Sequence, residues 1–148
     1  MSTSKVLLYK ARSPPFHLPL DCVGIGMVLD IDGRRTENEA FSINLSSAPD
    51  LSKDVFIHFS PRPQQNKIVL NTMKDGKWCK EESIPWYDMF DINIDFKLRL
   101  TAAQNGYEIY DRRDVPRLIG TFAYRQKMEC NYLVFGGQGC TISFAERD

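Results

Sequence analysis

The stretch "HFSPR" at residues 58–62 sets His58, Ser60 and Arg62 at alternate positions, with Phe59 and Pro61 between them and Ile57 just before. Successive side chains of a strand point to opposite faces, so the three polar groups share one side while Ile57 and Phe59 point into a core. The imidazole and the guanidinium supply nitrogen donors, and the hydroxyl both gives and accepts. Asn71 closes the next strand-like run, "KIVLN", and adds an amide of the same dual character. Trp78 follows the turn sequence "KDG", and Glu81 stands three residues further on. Hydroxyl-rich ligands need donors and acceptors together, and the C–H face of a pyranose needs a flat apolar platform such as an indole. The chemistry this set could perform is sugar recognition. A buried Arg62–Glu81 pair would hold both side chains rigid and aim them at hydroxyls. Taken singly, His58 reads as an ordinary surface histidine, Trp78 as core and the two charges as solvated. The ordered set is what points to a ligand.

Catalytic and metal chemistries find little support. His17 and His58 are the only histidines, which excludes a multi-histidine metal site, and no Cys/His spacing suggests a mixed one. "DIDG" at 30–33 lacks the later ligands of a calcium loop and reads as a hairpin turn. "GGQG" at 136–139 is not followed by Lys and Ser or Thr, so it reads as a glycine hairpin between strands, not a phosphate loop. No G-x-S-x-G stretch offers a nucleophilic serine. Glu81 and Glu82 are neighbours that would face opposite ways on a strand, so they cannot flank one glycosidic bond, although a distant carboxylate could complete such a pair. No cofactor is expected.

The elements that must position the polar row are strands. Short apolar runs recur between turn signals, among them "KVLLY" at 5–9, "GMVLDI" at 26–31, "AFSINL" at 40–45, "VFIHF" at 55–59, "DFKLRL" at 95–100, "YLVF" at 132–135 and "CTISF" at 140–144. In "FKLRL", Phe96, Leu98 and Leu100 share one face and Lys97 and Arg99 the other, the pattern of a strand buried on one side. The connectors "DIDGRR", "KDGKW", "QNGY" and "GGQG" carry hairpin chemistry. Many short strands with regular turns predict one all-β domain, an antiparallel sandwich of jelly-roll type. Residues 1–14 read as an N-terminal extension, with "SPPFHLP" leading into the first paired strand, and 15–148 as the domain. Trp86 reads as core or loop packing, and "DRRD" at 111–114 as a solvated turn.

Composition narrows the partners. The chain has 148 residues, 43% hydrophobic and 26% charged, with 19 Lys plus Arg against 19 Asp plus Glu. That suits one globular domain and lacks the basic excess of a nucleic-acid binder. No apolar run is long enough to insert in a membrane, and the first residues lack the apolar stretch of a signal peptide, so a cytoplasmic protein is expected. Cys22, Cys79, Cys130 and Cys140 are far apart, and free thiols are the expectation in that compartment. "NLS" at 44–46 matches a glycosylation sequon but lies in a strand-like run.

The site residues resemble the carbohydrate signature of the galectins, the β-galactoside-binding lectins: H-x-N-P-R, then an Asn, then W-G-x-E-x-R. Here "HFSPR", "IVLN" and "WCKEES" stand in that order, and "FSINL", "FKLRL", "YEIYDRR" and the glycines before "TISF" extend the likeness over roughly residues 15–145. The resemblance implies a concanavalin A-like jelly roll of two antiparallel sheets, calcium-independent binding of lactose-type glycans in a shallow groove, and export without a signal peptide. It places His58 and Arg62 on the axial 4-hydroxyl of galactose, Asn71 and Glu81 at the 6-hydroxyl with Glu81 also orienting Arg62, and Trp78 under the ring. Homodimerisation through sheet edges is open to such a fold.

Three positions depart from that signature. Ser60 replaces Asn, Ser83 replaces the final Arg, which would support Glu81 and reach the next sugar, and Cys79 replaces the glycine after Trp78. A lost hydrogen bond to a charged group costs about 1.5–3 kcal/mol, so weakened or altered sugar binding is expected. Strict alternation would set Trp78 and Glu81 on opposite faces, so a bulge or turn is required between them without glycine's freedom. The expected function is a non-enzymatic galactoside lectin with His58, Ser60, Arg62, Asn71, Trp78, Glu81 and Ser83 as its site. The alternative is a galectin-fold module for protein contact with a degenerate sugar site, and a glycoside hydrolase on a related sandwich ranks third.

Overall fold

The computed structural model of the chain describes residues 4–21 and 24–148. Two antiparallel sheets pack face to face. One runs in the order β1 (Lys5–Leu8), β13 (Cys140–Arg147), β3 (Val28–Arg35), β9 (Asp95–Ala102), β10 (Gly106–Asp111), β11 (Arg117–Ala123). The other runs β2 (Phe16–Pro19), β12 (Tyr132–Gly137), β4 (Phe41–Ser46), β5 (Val55–Arg62), β6 (Lys67–Lys74), with β6 pairing further to β7 (Lys77–Trp78) and β8 (Glu82–Pro85). The alternation read in β9 holds: Phe96, Leu98 and Leu100 are buried, whereas Asp95 and Lys97 are exposed.

The core lies between the sheets. Phe41 of β4 and Phe96 of β9 stack across it with ring centroids 5.7 Å apart. A short 3-10 helix, Asp88–Phe90, sets Phe90 beside both, 5.2 Å from the Phe96 ring and 5.7 Å from the Phe59 ring of β5. Ile57 and Phe59 are therefore core residues, as their alternation with the polar row requires. Trp86 packs partly against the same cluster and donates from Nε1 to Asp91 Oδ1 at 2.8 Å.

Several turn readings hold and others are corrected. Asp75 and Gly76 both have positive φ, 52° and 78°, and form the two-residue turn joining β6 to β7. The Asp-Gly at 32–33, expected in a hairpin, instead lies inside β3. A side chain on Gly33 would stand 2.6 Å from the Phe96 ring and 2.7 Å from the Thr141 carbonyl, so this glycine serves close packing. Its flanking Asp30 and Asp32 are held in strand by pairing with Arg99, Arg112 and Lys97. "GGQG" is a glycine turn, with Gly137 and Gly139 at positive φ, but it carries the chain from one sheet to the other and does not close a hairpin. "DRRD" is only partly a solvated turn: Asp111 is buried and accepts from the Tyr87 hydroxyl and from Arg113.

The N-terminal stretch has partners in the body of the domain: β1 pairs with β13, and Arg12 bridges to Ile142. Cys79 and Cys140 are free thiols, whereas Cys130 is disulfide-bonded, which corrects the expectation of free thiols at that position. Cys22 lies outside the described residues. No helix among the described residues is long and apolar enough to cross a membrane.

Candidate carbohydrate-binding site

Strand register assembles the site. Val134 of β12 sits opposite Asn44 of β4, Asn44 opposite His58 of β5, and His58 opposite Asn71 of β6. Directly paired residues share a face, so these side chains form a row across the sheet on the side away from the core. A parallel row runs from Ser60 through Val69 to Ser83. Between β7 and β8 the strand stops for residues 79–81, and the Cys79 amide donates to Thr72 O at 2.9 Å. That interruption is the break in alternation needed to bring both Trp78 and Glu81 to the polar row.

His58 is buried, and its Nδ1 lies 2.6 Å from Asn44 Oδ1. Asn44 Nδ2 donates to Ser42 Oγ and to Val134 O, both at 3.0 Å, so Asn44 Oδ1 must act as the acceptor. The imidazole then carries its proton on Nδ1 and leaves Nε2 as an acceptor. Burial first, and the Arg62 cation second, push its pKa from the usual 6.5 down to about 4, so the ring is neutral near pH 7. The Trp78 indole lies against it, with ring centroids 4.6 Å apart and 45% of the residue exposed.

Arg62 supplies the complementary sense, that of a pure donor. Its Nε reaches Ser60 Oγ at 3.4 Å and its Nη1 reaches Glu81 Oε1 at 3.4 Å. The two side chains keep 25% and 49% of their exposure, so this ion pair is open to solvent, not buried as expected. The Ser60 hydroxyl donates to Phe41 O at 2.9 Å and accepts from Arg62, which leaves it little capacity for a ligand. Asn71 Nδ2 donates to Cys79 O at 3.0 Å, while its Oδ1 accepts from the Thr72 amide at 2.8 Å and from Arg125 Nη1 at 3.1 Å. Ser83 is exposed on β8, across Val69 from Ser60.

A cavity of about 360 Å³ borders the row on its β4 side, lined by Ser42, His58, Ser60, Arg62, Gln65 and Gly137 with neighbouring residues. The structure thus brings His58 to Trp78 and Arg62 to Glu81, sets Asn71 beside His58, and leaves Ser83 at the rim. Sequence reading missed three contributors. Asn44 was legible only as a polar residue inside the apolar run "FSINL", Ser42 precedes it by two, and Arg125 gave no signal, since it reaches Asn71 from a segment 54 positions away.

A family profile described as galactoside-binding lectin matches residues 15–139. The chain is 33% identical over 111 residues to the 32 kDa beta-galactoside-binding lectin of Haemonchus contortus, covering 69% of this chain and 39% of that one. It is 31% identical over 90 residues to galectin-7 of Mus musculus, covering 58% of this chain and 63% of the relative. It therefore spans about two-fifths of the length of the nematode lectins it matches, 39% and 40%. Among solved structures, Caenorhabditis elegans galectin LEC-6 superposes with a TM-score of 0.81 at 18% identity over 100% of this chain and 99% of that one. Sheep galectin-11, solved in complex with glycerol, gives 0.78 at 18% identity over 90% and 97%. Those structural likenesses concern the fold, whereas the profile covers the polar row, the indole and the carboxylate together. The chain belongs to the galactoside-binding lectin family, the galectins.

Proposed function

We propose that this chain is a non-enzymatic lectin for β-galactoside-containing glycans of the lactose type, with residues 15–148 as the recognition domain. The observation that carries the reading is the pairing of opposite hydrogen-bond senses beside an exposed indole: the His58 Nε2 acceptor, the Arg62 donors and the Trp78 ring. A single hydroxyl that donates to His58 and accepts from Arg62 satisfies both. In galactose the axial 4-hydroxyl rises from one side of the ring, and the C–H groups of the other side form the flat surface an indole covers. In glucose that hydroxyl is equatorial and does not reach the row, which gives the selectivity.

Asn71 retains one amide N–H beyond its bond to Cys79, and with Glu81 it addresses the 6-hydroxyl. Ser83 and Ser60 offer less than the Arg and Asn of the family signature, so the affinity is low. A lactose titration followed by calorimetry tests the reading: saturable binding supports it, and heat no different from that of glucose removes it. The second reading, a galectin-fold protein-interaction module, draws on the spent hydroxyl of Ser60 and the absence of Arg at 83. It predicts retention of a protein, and none of lactose, on the same face.

A further inference from the structure

Arg125 lies just beyond β11, in the sheet that does not carry the polar row. Its guanidinium carbon stands 4.8 Å over the ring of Phe122, a core residue, and its side chain keeps only 24% of its exposure. From that seat Nη1 donates to Asn71 Oδ1 at 3.1 Å and to Thr72 Oγ1 at 3.2 Å, while Nη2 donates to Glu82 Oε2 at 2.9 Å. Glu82 pairs with Leu70 and so sits on the core side of the sheet. Arg125 therefore approaches the sheet from its core side and spans β6 and β8 there. A planar fork suits this task, because one rigid group spans acceptors on two strands.

The consequence falls on the Asn71 amide. A carbonyl oxygen has two lone pairs, and Thr72 N–H and Arg125 Nη1 occupy both. The oxygen is thereby engaged within the protein, and the amino group keeps one N–H beyond the one spent on Cys79 O. We propose that Arg125 is the positioning residue that makes Asn71 a dedicated hydrogen-bond donor in the sugar site, and that its grip on Glu82 pins the bend carrying Glu81. In this chain, where Ser stands at 83, an arginine from the opposite sheet anchors the far end of the site.

This inference rests on the galactoside reading for its ligand, so the test has one arm with sugar and one without. In the first, wild type and Arg125→Ala are titrated with methyl β-galactoside and its 6-deoxy analogue. Arg125→Ala is expected to lower galactoside affinity about fivefold and to leave the analogue within about twofold, narrowing the ratio between them, because only the galactoside has an oxygen for Asn71 to donate to. A general loss of structure would lower both equally. In the second arm, the ligand-free side-chain amide resonances of Asn71 are followed by 15N NMR, and Arg125→Ala is expected to shift and broaden them.

If Arg125→Ala fails to fold, Arg125→Lys is read the same way, since an ammonium cannot span Asn71 and Glu82 together. An unmoved affinity ratio in a protein that binds overturns the proposal, and so do unmoved Asn71 resonances. Perturbed resonances in a protein whose wild type ignores both sugars uphold the positioning role and remove the galactoside reading alone.

Discussion

The two halves of the site are built differently. On β5 the polar row is embedded: His58 and Ser60 are buried, and each already holds a hydrogen bond to β4. On the β7–β8 side, Trp78, Glu81 and Ser83 are exposed, β7 has only two residues, and a three-residue break separates the two strands. The first half is prepared before any ligand arrives, so its side chains lose little freedom on binding, whereas the exposed side chains of the second have more freedom to lose. Changes on β5 should therefore damage both folding and recognition, and changes on the β7–β8 side recognition alone.

The largest test of that contrast is His58→Ala. It strands Asn44 Oδ1 in a buried position and removes the acceptor, so a stability loss of about 1–3 kcal/mol is expected by chemical denaturation, with lactose binding abolished. Stability that is unchanged would break the comparison. Acid gives a second test on the same residue. Because the folded-state pKa of about 4 lies below the usual 6.5, the unfolded chain binds more protons in that interval. The His58 contribution to stability is thus complete above pH 6.5 and is lost as pH falls from 6.5 to about 4, to the extent of about 3 kcal/mol. His58→Asn should remove that slope from a pH series of urea midpoints. Lactose affinity should hold down to about pH 4 and fall below it, as Nε2 becomes a donor.

On the other half, Trp78→Ala should reduce lactose affinity by at least about tenfold, with the unfolding free energy changed by no more than about 0.5 kcal/mol. A large fall in stability would show that the indole belongs to the core after all. The smallest effect is expected from restoring the signature: Ser83→Arg should strengthen lactose binding about threefold, since a partly exposed charge beside Glu81 is worth under about 1 kcal/mol. No gain would point to a remodelled site rather than a weakened one.

How much was legible beforehand differs along the same line. The alternation of "VFIHFSPR" separates Ile57 and Phe59 from His58, Ser60 and Arg62 without any knowledge of neighbours, and both sets fell where expected. Asp75-Gly76 likewise announces its own turn, because two consecutive positive φ angles are a local demand. The same dipeptide at Asp32-Gly33 misled, since what holds it in strand is the Phe96 ring and the Thr141 carbonyl from distant segments. The Arg62–Glu81 pair was anticipated as a contact but not as an open one, for exposure depends on what covers a pair.

By itself the sequence determined the strand periods, the core face of β5 and the ordered group of His58, Arg62, Asn71, Trp78 and Glu81, because each follows from side-chain alternation or from residue type within a short window. The tertiary structure alone decided that Asn44 sets the tautomer of His58, that Arg125 takes the carbonyl of Asn71, and that the glycine turn at 136–139 joins two sheets. The physical reason is that hydrogen-bond sense is a property of a pair, and these partners meet only when strands far apart in the chain lie side by side or face each other across the core.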